Sequence, residues 1–208
     1  MNYKVVGKFI SQILAVEAAF MLPALIISAA CQNLNAVIGF IVSIVIILGI
    51  ASLLYVLCRK ANKRFFAKEG LVSVGIGWIV LSILGCLPFF ISREIPSFVD
   101  ALFETVSGFT TTGSSILSNV EALTHCSLFW RSFTHWIGGM GVLVFIMAVL
   151  PLSGGSIMHL MRAESPGPAV GKLVPKVRHT AMILYGIYIV FTLVEIIALL
   201  ITGMSPFE

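Results

Sequence analysis

Five apolar lengths, at residues 9–30, 36–58, 71–91, 133–153 and 181–202, leave this chain few ways to fold. Each is about 20 residues long, the length at which a helix crosses the hydrocarbon core of a bilayer. Of the 208 residues 59% are hydrophobic and only 11% charged, so a soluble core could not hide the apolar surface and much of it must face lipid. The chain reads as an all-α integral membrane protein with about five transmembrane helices.

Charge placement orients those helices. Lys4 and Lys8 precede the first length. Arg59, Lys60, Lys63, Arg64 and Lys68 separate the second from the third, and Arg162, Lys172, Lys176 and Arg178 separate the fourth from the fifth. Eleven of the 13 basic residues therefore fall on one side, and positive-inside bias assigns that side, with the N-terminus, to the cytoplasm. Only Arg93 and Arg131 remain for the other side. The net charge of +4 is accounted for by these span ends and their contact with headgroups, so it implies a lipid neighbour and no nucleic-acid partner. Cys31, Cys58, Cys86 and Cys126 stand apart from one another and from histidines at ligand spacing, and read as small packing residues. The run ending Ser28-Ala29-Ala30-Cys31 has a lipoprotein look. It is too long for a signal and holds Glu17 and Pro23, so it reads as a retained first span.

Between the third and fourth lengths lies a stretch, residues 96–115, that cannot span. A helix over residues 98–109 rises about 18 Å, well short of a hydrocarbon core of roughly 30 Å. It is expected to enter and return on the outer side as a re-entrant pore helix that ends in a threonine-glycine strand. Irregular backbone at membrane depth survives only where protein buries it or where it lines a watery path. Thr110, Thr111, Thr112 and Gly113 offer consecutive carbonyls and hydroxyls, with a glycine that tolerates unusual dihedrals, and these are ligands for a partly dehydrated cation. The helix turns the negative end of its dipole toward that path from Gly108 onward, which favours a cation over an anion. Ser97 and Asp100 open the helix as a capping-box variant. Ser205-Pro206-Phe207-Glu208 repeats that spacing after a later span, as the start of a second unit of span, pore helix and filter.

Three blocks, Ser107-Gly108-Phe109-Thr110-Thr111-Thr112-Gly113, then Trp136-Ile137-Gly138-Gly139-Met140-Gly141, then Arg162-Ala163-Glu164-Ser165-Pro166-Gly167-Pro168, resemble in order and spacing the Trk/Ktr/HKT superfamily of potassium transporters, most closely its bacterial Trk-type members. The resemblance covers essentially the whole chain. It implies potassium uptake across the cytoplasmic (inner) membrane, with potassium as substrate and no cofactor. The carbonyls of Thr110, Thr111, Thr112 and Gly113 would form the filter, supported by Gly108, Ser114, Gly138, Gly139, Gly141 and Arg131. The family links glycine at position 113 to potassium and serine there, in some plant members, to sodium. It also implies a homodimer and a cytoplasmic nucleotide-binding regulatory subunit. Family members carry four loops on one polypeptide, so a chain with one loop and the start of another is expected to be the N-terminal part of a longer transporter and not to form a selective pore alone. The expected organisation is residues 1–70 for two N-terminal spans and a cytoplasmic loop, 71–179 for the first span, pore loop and span with a cytoplasmic linker, and 180–208 for the start of the second repeat.

Other residues admit more than one reading. Gly138, Gly139 and Gly141 allow close helix approach. Arg131 either snorkels to headgroups or pairs with Glu104 or Asp100. Glu17 and Glu195, within spans, meet a polar partner, contact a subunit or couple to ion movement. His135 stands where the Trk-type pattern often carries glutamine. No nucleophile elbow, metal pair or phosphate loop occurs, so no enzyme is expected. The rival readings are a non-transporting membrane scaffold or accessory subunit, and a sodium-permeable member of the superfamily. The charge pattern predicts that a cysteine at position 118 is labelled by an impermeant reagent from outside the cell while one at position 63 is protected. Labelling at 63 but not 118 would invert the topology.

Overall fold

Proline decides where the long apolar segments bend. The structure, a computed structural model, describes residues 2–59, 67–141 and 177–205. The first apolar length folds as two helices, α1 (Tyr3–Phe20) and α2 (Leu22–Ala30), which meet at Met21. Pro23 lies in the first turn of α2, where its missing amide does least harm, and it cannot donate into the turn before. The third length breaks in the same way: α4 (Ala67–Gly85) ends at Cys86, and α5 (Leu87–Ile91) restarts with Pro88 in its first turn. Between them α3 (Leu34–Leu57) runs unbroken from its cap, where the Asn33 side chain accepts the Ala36 N–H at 3.2 Å. α6 (Phe98–Phe109), a 3-10 turn at Val120–Ala122, α7 (His125–Met140) and α8 (Val177–Ile201) complete the described elements, and no strand occurs among the described residues.

Taken through their breaks, Tyr3–Ala30, Leu34–Leu57, Lys68–Ile91 and Met182–Ile201 are long and apolar enough to cross a membrane. The first begins at Tyr3, not at residue 9, because Lys4 and Lys8 continue the helix as easily as they flank it. Of the expected length 133–153, α7 covers the part to Met140, and residues 142–153 lie outside the described residues, as do Lys60, Lys63 and Arg64 and the block at 162–168.

The helices pack along narrow stripes. α3 buries Ala36, Gly39, Phe40, Ser43, Ile47 and Ala51, one face at helical spacing, while Ile38, Ile41, Val45 and Leu53 on its other faces stay exposed. Small residues in the stripe let α5 come close: a Cβ on Gly39 would stand 3.0 Å from the Pro88 carbonyl oxygen and 3.1 Å from the Ser92 Cβ. Phe40 meets Trp130 of α7 edge to face with ring centres 6.4 Å apart, and the Trp130 Nε1–H donates to the Gly85 carbonyl at 2.9 Å. That bond satisfies a carbonyl at the break between α4 and α5, where the ladder is interrupted. α8 joins through Trp136, whose Nε1–H donates to the Thr192 hydroxyl at 3.1 Å and whose carbonyl accepts the Tyr188 O–H at 3.1 Å. Cys31 is exposed, Cys58, Cys86 and Cys126 are buried, and all four are free.

A larger side chain at Gly39 has no room between α3 and α5. Gly39→Val should therefore lower stability by about 1–3 kcal/mol, read as an earlier thermal transition of the detergent-solubilised protein, and an unchanged transition would refute this packing.

Candidate cation-binding loop

α6 carries the candidate site on its C-terminal end. Its start is capped by Ser97, whose hydroxyl accepts the Asp100 N–H at 3.4 Å, and one face (Ala101, Glu104, Thr105, Gly108) is buried. Its end closes by a tight set of bonds. The Thr110 N–H donates to the Val106 carbonyl at 2.9 Å, Thr111 N–H to Gly108 at 2.9 Å and Thr112 N–H to Ser107 at 3.0 Å. The last two bonds are the pair that seals a helix when the residue after its cap turns left-handed, a place glycine usually fills. Here Thr111 fills it with φ +55°. A β-branched residue in that region holds local strain of about 1–3 kcal/mol, sustained only by the structure around it. Gly113, two residues on, also has positive φ, +76°.

These two dihedrals correct the expectation of a threonine-glycine strand. The backbone from Thr110 to Ser115 is irregular because Thr111 and Gly113 both leave the extended region. The consequence for ligands is direct. The N–H groups of Thr110, Thr111 and Thr112 are consumed by helix carbonyls, while among the described residues the carbonyls of Thr111, Thr112 and Gly113 accept no hydrogen bond. The Thr110 carbonyl accepts the Thr111 hydroxyl at 2.7 Å, and the Ser114 carbonyl accepts the Ser107 hydroxyl at 2.6 Å. The Thr110 hydroxyl donates to the Val106 carbonyl at 2.7 Å and lies 2.8 Å from the Thr112 hydroxyl. Residues 110–116 are exposed. Free carbonyls at the negative end of a helix suit a cation and repel an anion.

α7 forms the wall behind the loop. The ideal Cβ of Gly138 would lie 2.8 Å from the Phe109 carbonyl carbon and 3.0 Å from the Gly108 oxygen, so only glycine lets the two backbones touch. A Cβ on Gly108 would meet Thr134 and, at 3.5 Å, the His135 Nδ1. Gly139 lies against the Tyr188 hydroxyl, and Gly141, φ +71°, ends the helix. His135 Nδ1 is 2.9 Å from the Arg131 carbonyl, so the ring is held within its own helix.

Of the open readings for Arg131, the structure takes the pair with Glu104. Arg131 Nε–H donates to Glu104 Oε2 at 2.8 Å, with the Glu104 side chain fully buried and Arg131 15% exposed. Glu104 Oε1 accepts the Ser115 O–H and the Ile116 N–H, both at 2.6 Å. One carboxylate thus ties α6, α7 and the segment leaving the loop. Burial alone would raise the Glu104 carboxyl, but the bonds from Ser115, Arg131 and the Ile116 N–H outweigh it and hold the group below its ordinary value. Glu94 accepts the Thr124 N–H at 3.1 Å and also its hydroxyl, fixing the entry to α7. The two spanning acids separate: Glu195 is exposed, while Glu17 is buried beside Gly85 with no partner for its carboxylate oxygens among the described residues.

Sequence reasoning missed the roles of Ser107 and the left-handed Thr111. A signal existed for each: Glu104 and Ser107 are polar residues three apart on one face of a short apolar helix, and the helix ends with no glycine after its cap.

The described residues make a helical membrane protein with a short internal helix whose closing turn leaves carbonyls free. A family model for TrkH, described as a cation transport protein, matches residues 34–205. The Trk system potassium uptake protein TrkH of Escherichia coli K12 is 40% identical over 164 residues, covering 77% of this chain and 34% of that protein. TrkH of Vibrio parahaemolyticus is 33% identical over the whole chain and 43% of its own length. The crystal structure of the potassium transporter TrkH from Vibrio parahaemolyticus superposes with a TM-score of 0.79 at 28% identity, over 100% of this chain and 41% of that one. The chain belongs to the TrkH family of cation transport proteins. It spans between a third and a half of the length of these relatives.

Because the Glu104 carboxyl is held low in the folded protein, its stabilisation is complete above the ordinary carboxylate range, near pH 4.3 by model compounds, and is lost as pH falls through the lower folded value. Glu104→Gln should lower stability at neutral pH by about 1–3 kcal/mol, and the deficit should shrink as the pH is taken below that range. A deficit independent of pH in thermal unfolding would show that the charge contributes nothing.

Proposed function

We propose that this chain supplies the first pore loop of a potassium-uptake transporter in the cytoplasmic membrane. The carbonyls of Thr110, Thr111, Thr112 and Gly113 take the place of part of the ion's hydration shell, and the supporting set is Gly108, Ser114, Gly138, Gly139, Gly141 and Arg131. The observation that carries the reading is the run of carbonyls from Thr111 to Gly113 that accept no hydrogen bond among the described residues, at the negative end of α6. The names of the relatives, potassium uptake proteins, support potassium as the ion. The organisation that follows is two leading helices over residues 1–70, a span, pore loop and span over 71–179, and the start of a second such unit over 180–208, with the N-terminus cytoplasmic. The proposed partners are a second copy of the transporter and a cytoplasmic nucleotide-binding regulatory subunit.

Gly113 gives the sharpest test. Nothing lies within 4 Å of a Cβ built there, so a substitution acts through the dihedral alone. Its φ of +76° disfavours a side chain, by about 1–2 kcal/mol, and the strain is relieved by rotating the carbonyls that face the ion. In the complete gene product, expressed in a potassium-uptake-deficient bacterium, Gly113→Ser should weaken potassium preference over sodium up to about tenfold. Rubidium or potassium uptake with sodium as competitor measures it. Unchanged competition in a correctly inserted mutant would remove the filter from this position, and failure of the parent to rescue growth on low potassium would favour a non-transporting scaffold.

A further inference from the structure

Ser107 departs from the usual pattern of helix hydroxyls; among the described residues the hydroxyls of Ser73 and Ser127 have no partner, and others bond back. Those of Ser11, Ser28, Ser43, Thr105 and Thr134 bond back into their own helix, three or four residues earlier, to Lys8, Leu25, Gly39, Ala101 and Arg131. This is the default for a buried hydroxyl on a helix. Ser107 is buried in the last turn of α6, and its hydroxyl reaches forward seven residues to the Ser114 carbonyl, at 2.6 Å. Its own carbonyl meanwhile accepts the Thr112 N–H at 3.0 Å. One residue therefore grips both ends of Thr112-Gly113-Ser114, by an acceptor at the first and a donor at the last.

Two consequences follow. The Ser114 carbonyl is turned onto α6 and held there by the Ser107 hydroxyl, at the far end of the run of unbonded carbonyls from Thr111 to Gly113. The Gly113 backbone, at positive φ with open space around it, has no packing of its own to hold it. Its orientation is set from the two gripped ends. We infer that Ser107 is a positioning residue for selectivity: its hydroxyl, by holding the Ser114 carbonyl away from the ion path, fixes the direction of the Thr112 and Gly113 carbonyls. Glu104, one turn earlier on α6, anchors the next two residues, Ser115 and Ile116, and so prevents the segment from swinging as a whole. This inference rests on the filter reading above and adds to it the residue that aims the ligands.

The test compares Ser107→Ala, Ser107→Thr and Gly113→Ser in the complete gene product, with membrane insertion and detergent stability measured for each. Ser107→Ala removes only the hydroxyl. It should leave the maximal uptake rate near the parent's, raise the KM for potassium and strengthen sodium competition about fivefold, the equivalent of one lost hydrogen bond. Ser107→Thr, which keeps a hydroxyl, should recover most of the selectivity, an outcome that a merely structural role does not predict. If Gly113→Ser shifts ion competition and Ser107→Ala does not, Ser107 has no positioning role while the filter stands. Loss of selectivity in Ser107→Thr equal to that in Ser107→Ala would assign the effect to volume and overturn the inference. No shift in either Ser107→Ala or Gly113→Ser would overturn the filter with it. Should Ser107→Ala insert poorly, Ser107→Cys decides: its weakly donating thiol should give intermediate selectivity, and parental selectivity refutes the role of the hydroxyl.

Discussion

The backbone contact between Gly138 of α7 and the Phe109 carbonyl of α6 is the constraint from which the loop geometry follows. Helices seldom come this near, because a Cβ keeps their axes apart. Here glycine removes it, and α7 lies directly against the closing turn of α6. Seven residues before Gly138 on the same helix stands Arg131, which that approach delivers to Glu104. Glu104 in turn holds Ser115 and Ile116. A contact made by absence of a side chain thus places a charge pair, and the charge pair places the segment that leaves the candidate filter. Removing either partner of such a buried pair leaves the other charge uncompensated, which is more damaging than the modest net worth of the pair suggests.

One residue of the loop stores energy, and a second shares its left-handed backbone without strain. Thr111 adopts a left-handed backbone where glycine would be free of strain, and Gly113 adopts one in open space. The first orders the end of α6 by the bonds of Thr111 and Thr112 to Gly108 and Ser107. Those bonds use up the N–H groups and leave carbonyls, so the surface offered beyond the helix is an array of acceptors. A strained residue such as Thr111 persists only where the structure around it over-determines the conformation.

The surrounding helices show how polar backbone is managed in an apolar setting. Pro23 and Pro88 interrupt α1–α2 and α4–α5 just after Met21 and Cys86. A break exposes carbonyls that neighbouring polar groups must satisfy, and the Trp130 indole does so at Gly85. Glu17 lies beside the same break, facing Gly85 together with Thr105 and Phe109 of α6, so this buried spanning acid sits behind the candidate loop.

Four of the apolar lengths and the short helix over Phe98–Phe109 were legible in the amino-acid sequence, because length against bilayer thickness and capping residues are local properties. The candidate ligands Thr111, Thr112 and Gly113 were legible for the same reason: a run of small polar residues ending in glycine announces itself. Which of the neighbouring carbonyls stay free was not. That depends on Ser107 reaching Ser114 and on the Thr111 hydroxyl turning to Thr110, choices among alternatives that each hydroxyl could make locally. Likewise Arg131 had headgroups, Asp100 and Glu104 as possible partners, and only the Gly138 contact selects among them. Local sequence determined which elements form and where they turn. The tertiary structure decided which hydrogen bonds close, since a buried donor or acceptor takes whichever partner packing brings within about 3 Å.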